Sequence, residues 1–247
     1  MPRIGTILAL AALAAACGQT DNAAQAEGSP ARPAPAEAAA QPNLAACPDA
    51  ADVDEELRER KGPIPVPPAF AGLVKADMDH FAVSTLDGGT VCVDAGWMET
   101  IEEPKVSPDN RFVSFGWSGY EAFGFIVVDR SGKGQAVETG NAPLTSPEGD
   151  RFASIDLSES GFGGFNAFGV WQVEPAGLKE LAQYAEEFPP GDWRIERWAN
   201  RACVELSVLP IERQPSHVDD FGKAPRDPWS AAEAKGWKPA PGRCPRA

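Results

Sequence analysis

The 247-residue chain is poor in several residue types that carry common chemistries. It has two histidines, three methionines and two tyrosines, and only 22 basic side chains against 36 acidic ones, for a formal net charge of −14. His80 and His217 are too few for a multi-histidine metal centre. The shortage of lysine and arginine argues against a nucleic-acid partner, because phosphate binding relies on clustered cations. None of the five cysteines stands in a C-x-x-C spacing, so neither a dithiol redox motif nor a zinc knuckle is supported. There is no phosphate-binding loop, and Ser131-Gly132-Lys133-Gly134 reads as a hairpin turn. Asp49, Asp52 and Asp54 lack the glycine and distal glutamate of a calcium loop. Gly116-Trp117-Ser118-Gly119 lacks the final spacer of a hydrolase nucleophile elbow. No cofactor and no metal are therefore expected.

What is present begins with a targeting segment. Arg3 is its only charge, and residues 4–16 are apolar but too short to cross about 30 Å of hydrocarbon at about 1.5 Å per residue. This is the pattern of a signal peptide over residues 1–16. It ends at Leu13-Ala14-Ala15-Ala16-Cys17-Gly18, which resembles the lipobox of bacterial lipoproteins. The resemblance implies lipid attachment at Cys17 as the mature N-terminus, and a mature net charge of about −15 by loss of Arg3. Gly18, where an aspartate would imply inner-membrane retention, implies the outer membrane facing the periplasm. Residues 17–46 then form an Ala- and Pro-rich stretch with Leu44 as its only large aliphatic side chain. It cannot bury enough apolar surface to offset ordering entropy and is expected to be a disordered tether.

Four cysteines remain for the domain at 47–247: Cys47, Cys92, Cys203 and Cys244. An even number in an exported chain reads as two disulfides, with three connectivities open. The expected pairing is Cys47–Cys244 with Cys92–Cys203, stapling the two ends of the domain.

The domain itself opens with an expected short helix over 49–61, acidic early and basic late. Beyond it the periodicity becomes that of short strands. His80-Phe81-Ala82-Val83-Ser84-Thr85-Leu86, Asp87-Gly88-Gly89 and Thr90-Val91-Cys92-Val93-Asp94 read as a hairpin. An internal repeat follows. Ser107-Pro108-Asp109-Asn110-Arg111-Phe112 matches Ser146-Pro147-Glu148-Gly149-Asp150-Arg151-Phe152 with one extra residue in the second copy. Ala122-Phe123-Gly124-Phe125 matches Ala167-Phe168-Gly169-Val170, and a weaker copy starts at Pro190-Gly191-Asp192-Trp193. Pro68 begins a fourth, degenerate unit. The second strand of each clear copy is apolar on both sides, as stacked small sheets require. The turn and the period near forty resemble the S-P-D-G-[RK] repeat of WD40-like β-propellers of bacterial periplasmic proteins, over roughly 63–215. The expected fold is all-β: a small propeller-like stack of three to four antiparallel repeats, with a β-meander or sandwich as the alternative. The Pro-rich tail at 219–247 is expected to dock through Trp229, Trp237 and Cys244, with a helical turn over 230–235.

Candidate chemistry is sparse. His80 lies beside Asp77 and Asp79, and His217 precedes Asp219 and Asp220; solvated or capping roles are expected for both. Glu102-Glu103 and Glu186-Glu187 are adjacent pairs, which point apart in a strand and are weak catalytic candidates. Trp117, Tyr120, Trp171 and Trp198 read as blade-packing residues rather than a ligand box. The glycine-rich loop 158–165 carries Phe162 and Phe165, which either contact a partner or fold back on the core; with Tyr120 they are the candidate binding residues. The expected function is a lipid-anchored, non-enzymatic binding module for an envelope protein or cell-wall component. The alternatives are an envelope hydrolase or lyase using carboxylates, and a purely structural lipoprotein.

Overall fold

The computed structural model describes residues 41–49, 59–157, 164–186 and 188–245, apart from the side chains of 218 and 219. Its regular structure is almost wholly strand, in four antiparallel meanders that follow chain order. The first sheet holds β1 (Val74–Ala76), β2 (His80–Ser84) and β3 (Thr90–Asp94); the second holds β4 (Thr100–Val106), β5 (Phe112–Gly119), β6 (Ala122–Asp129) and β7 (Gln135–Glu138). The third holds β8 (Leu144–Thr145), β9 (Arg151–Asp156), β10 (Ala167–Glu174) and β11 (Gly177–Tyr184); the fourth holds β12 (Gly191–Asn200), β13 (Cys203–Pro210), β14 (Asp227–Ala232) and β15 (Pro239–Pro241). The fold is thus all-β, a propeller-like stack of four small sheets, none closed into a barrel.

The two-sided apolar strands hold the stack together. On one face of the second sheet, Val113, Phe115, Trp117, Ile126 and Val128 pack against Phe81, Val83 and Val91 of the first and against Phe70 in the 3₁₀ turn before it. On its other face, Phe112 and Val137 meet Phe152, Phe165 and Trp171 of the third. Ala153, Ile155, Phe168 and Val170 of the third sheet in turn meet Trp193, Trp198, Val204, Leu206 and Trp237 of the fourth. Side chains on alternate strand positions therefore serve alternate neighbours.

Arginines add a polar tie at each step. Arg130 donates to the Ser84 carbonyl in the first sheet at 2.6 Å, and Arg111 donates to the Glu174 and Gly177 carbonyls in the third. Arg151 donates to Glu233 (2.8 and 2.9 Å) and to the Arg201 carbonyl in the fourth, under the ring of Trp237.

The repeat is real in the second and third sheets, but its register differs from the sequence match. Asn110 and Gly149 are equivalent: both have positive φ (58° and 76°), and each amide donates to the carbonyl of the turn serine, Ser107 or Ser146. The amides of Phe112 and Arg151 donate to the hydroxyls of the same serines, at 2.8 and 3.2 Å. No residue is inserted, so Phe112 corresponds to Arg151 and Val113 to Phe152. That one-residue difference decides which face each side chain joins. Val113 and Phe152 both face the preceding sheet, whereas Phe112 and Phe152 face each other across one interface. Pro190 stands before the first strand of the fourth sheet, not between the first and second as in the clear copies.

Other expectations are corrected. The disulfides are Cys47–Cys92 and Cys203–Cys244, with Cα–Cα distances of 5.5 and 6.0 Å, so the two ends of the domain are not stapled. The reason is local. The 3₁₀ turn Leu44–Ala46 lies along β3, where the Asn43 amide donates to Thr90 Oγ1 at 3.0 Å, and this brings Cys47 to Cys92. The tail docks as strands β14 and β15; of the helical turn expected over 230–235, residues 230–232 belong to β14 and Glu233–Lys235 forms a 3₁₀ turn. Residues 50–58 of the expected N-terminal helix lie outside the described residues. Arg60, at its end, is not helical and donates to the carbonyls of Met98, Met78 and Ala95 at 2.9–3.0 Å.

Candidate functional site

The interface between the second and third sheets is the least filled by apolar side chains, and a groove opens there. Its widest part, about 490 Å³, lies among Phe112, Phe125, Val127, Phe152 and the two Ser-Pro turns. It continues past Phe125 and Ala142 into a second cavity of about 340 Å³ lined by Glu102, Glu103, Trp117, Ser118 and Phe123. Ala142 also borders a third cavity of about 420 Å³, beside Asp192 and Glu196 at the fourth sheet. The short β8 creates the space: two residues pair with β9 where β4 offers seven to β5.

The acidic end arises from a bulge. In a regular strand Glu102 and Glu103 would point to opposite faces. The β4–β5 register breaks between Glu102 and Lys105, and Glu103 takes a positive φ of 44° just before Pro104. An extra residue in one strand of a pair turns the side chains that follow it. Both carboxylates consequently line one cavity. Glu102 accepts from Ser118 Oγ at 3.3 Å, and Glu103 is offset by Lys105 at 3.0 Å on the surface.

Beneath this cavity lie two further acids. Glu138 ends β7 and Asp156 ends β9, and glycines make the floor above them thin. A Cβ on Gly124 would stand 2.6 Å from both Glu138 Oε1 and Trp117 Nε1, and one on Gly140, at φ 67°, would stand 2.6 Å from Asp156 Oδ2. Among the described residues, Glu138 Oε1, Asp156 Oδ2 and Trp117 Nε1 are buried without a well-formed hydrogen bond. Burial raises the Glu138 carboxyl above its ordinary range, and the charge of Asp156 adds to this against the opposing pull of the Trp117 N–H. Burial alone pushes Asp156 up to about 6.

A carboxyl raised in this way destabilises the fold once ionised. Its stabilising, protonated form is fully present below the unfolded pKa and is lost as pH rises through about 6. Asp156→Asn is therefore expected to stabilise the protein by on the order of 2 kcal/mol at pH 7.5 and by little at pH 4. Urea unfolding at the two pH values measures this, and an equal effect at both would show that the carboxyl is not perturbed.

The sequence-predicted residues divide. Tyr120 stands exposed at the β5–β6 turn, so unlike the tryptophans it does not pack between sheets. Phe165 folds back on the core rather than standing free as a binding residue: it is buried against Trp171, with ring centroids 5.6 Å apart. Phe162 and Cys17 lie outside the described residues. Asp77 caps the turn before His80, and the His80 Nδ1 stands 3.4 Å from the capping oxygen. Asp77 Oδ1 accepts from the amides of Asp79 and His80 at 2.8 and 2.7 Å, which shapes the β1–β2 hairpin. Trp117, Trp171 and Trp198 are packed between sheets. The sequence reading missed Phe123, which is exposed beside Tyr120, and the convergence of Glu102 with Glu103. Pro104 within a strand was the available signal, because proline in a sheet marks an edge or a bulge. Comparison with known proteins finds no protein-family model that matches the chain and no curated protein that does.

Proposed function

We propose that this protein is a membrane-anchored periplasmic lipoprotein acting as a non-enzymatic binding module, and that the groove between its second and third sheets is the binding site. The lipobox-like segment ending at Cys17 supports the anchor, and the Ala/Pro-rich stretch after it supports a tether. Two disulfides suit an oxidising compartment outside the cytoplasm. The observation that carries the binding role is the continuity of the groove: apolar cavity, acidic cavity and exposed aromatics run together along one interface. Sites for partners combine apolar walls with a few placed polar groups in this way.

The test is to fill the groove. Ala142 is exposed and borders all three cavities. Ala142→Trp should leave the circular dichroism spectrum unchanged and abolish capture of envelope components that the wild-type chain retains. Unaltered capture by the Trp variant would remove the groove from consideration.

A further inference from the structure

We infer that the groove takes a basic protein segment, with a lysine or arginine side chain seated beside Glu102 and Phe123 and a neighbouring apolar side chain in the wider cavity. This rests on the groove being a binding site, and it names the chemistry of the partner.

Charge complementarity carries it. The bulge at Glu103 brings two exposed carboxylates into one cavity. Among the described residues no cation is paired with Glu102, or with Glu121 in the adjoining turn, and Lys105 offsets only Glu103. Glu138 and Asp156 lie beneath the glycine floor, where low dielectric strengthens their field.

An exposed aromatic ring stands at the same end: Phe123, 45% exposed, lines the acidic cavity, and Tyr120, 49% exposed, lies in the turn just before β6. Cations bind over such faces, and each contact is worth about 0.5–2 kcal/mol depending on desolvation. The wider cavity, walled by Phe112, Phe125 and Phe152, fits an apolar side chain next to the cation in an extended segment. The same charges disfavour the other occupants. A second copy of a chain at net −14, an anionic lipid surface and a nucleic acid would each bring like charge to the carboxylates.

The experiment uses the domain with its tether and three fluorescein-labelled peptides of equal length: alternating arginine and leucine, the same with citrulline for arginine, and the same with glutamate. Citrulline keeps the shape and removes the charge. Fluorescence anisotropy should show the arginine peptide bound about tenfold or more tighter than the citrulline peptide, weakening with added salt. The double variant Glu102→Gln/Phe123→Ala should lose about tenfold in affinity for the arginine peptide. Both side chains are exposed, so the variant is expected to fold, which its circular dichroism and urea midpoint check.

Equal binding of the arginine and citrulline peptides, blocked by Ala142→Trp, would overturn the basic partner and leave the groove standing. Arginine-peptide binding untouched by the double variant would also overturn it. Binding of an N-acetylglucosamine oligomer but of no peptide, again blocked by Ala142→Trp, would replace a protein partner with a cell-wall one. Peptide binding indifferent to Ala142→Trp would overturn both the partner and the groove.

Discussion

Replacing Cys203 and Cys244 together by alanine is expected to lower the unfolding free energy by about 4 kcal/mol, from the entropy regained by a free chain of this loop length. The bond closes a separation of 41 residues and ties the segment after β15 to the start of β13. Cys203 and Cys244 are buried, so alanine avoids placing an unpaired hydroxyl there. The loss should be felt most in β15 and around Trp237, and less in β14, which keeps its pairing with β13. Urea unfolding of the oxidised wild type and the double variant measures it. The connectivity is checked separately by non-reducing peptide mapping, which should recover a Cys203–Cys244 linked peptide and a Cys47–Cys92 one. A Cys47–Cys244 peptide would contradict the arrangement of the sheets described above.

Arg111→Ala is expected to cost about 3–5 kcal/mol, because it leaves a fully buried carboxylate without its cation. Asp129 is 0% exposed. It accepts from Arg111 Nε at 3.0 Å and Nη2 at 2.7 Å, and from the Ser131 amide at 2.9 Å. Burial by itself would raise the Asp129 carboxyl, but the hydrogen bonds from Arg111 and Ser131 outweigh it and hold the group below its usual range. A carboxyl depressed in this way contributes stability that is present above the unfolded pKa and lost as pH falls through the folded one. The gap between wild type and Arg111→Ala should therefore be widest near neutral pH and shrink in acid. Adding Asp129→Asn to Arg111→Ala should recover part of the loss, since it removes the stranded charge, and a double-mutant cycle by urea unfolding gives the coupling. Full additivity would mean that the pair does not act as a unit.

These two ties are of different kinds, and the second bears on the groove. The disulfide acts within the fourth sheet. Arg111 reaches from the second sheet to the turn between β10 and β11 of the third, across the interface in which the groove lies. That interface has the smallest apolar cluster of the three, so a polar tie beside an open cavity compensates for packing that the cavity removes.

Much of the architecture was legible from local pattern. Runs such as Phe123 to Val128, apolar on both sides, announced strands buried on two faces, and the Ser-Pro turns announced where strands reverse. Sequence matching placed an insertion in the second turn because Arg-Phe recurs after it. The hydrogen bonds of Ser107 and Ser146 count residues differently and put Val113, not Phe112, in the place of Phe152. Phe165 drew attention as a glycine-flanked aromatic, yet a neighbouring tryptophan was available to bury it. Tyr120 and Phe123 differ from Phe165 only in what the next sheet brings near them, which no local signal encodes.

By itself the sequence determined the strand class, the two-sided burial of the middle sheets, the acidic charge and the export-like N-terminus. These follow from composition and periodicity, which depend on neighbours a few residues away. Only the tertiary structure decided which cysteines meet, which glutamates share a cavity and where a groove opens. Each of those depends on strand register, and register is set by side chains packing across sheets between residues far apart in the chain.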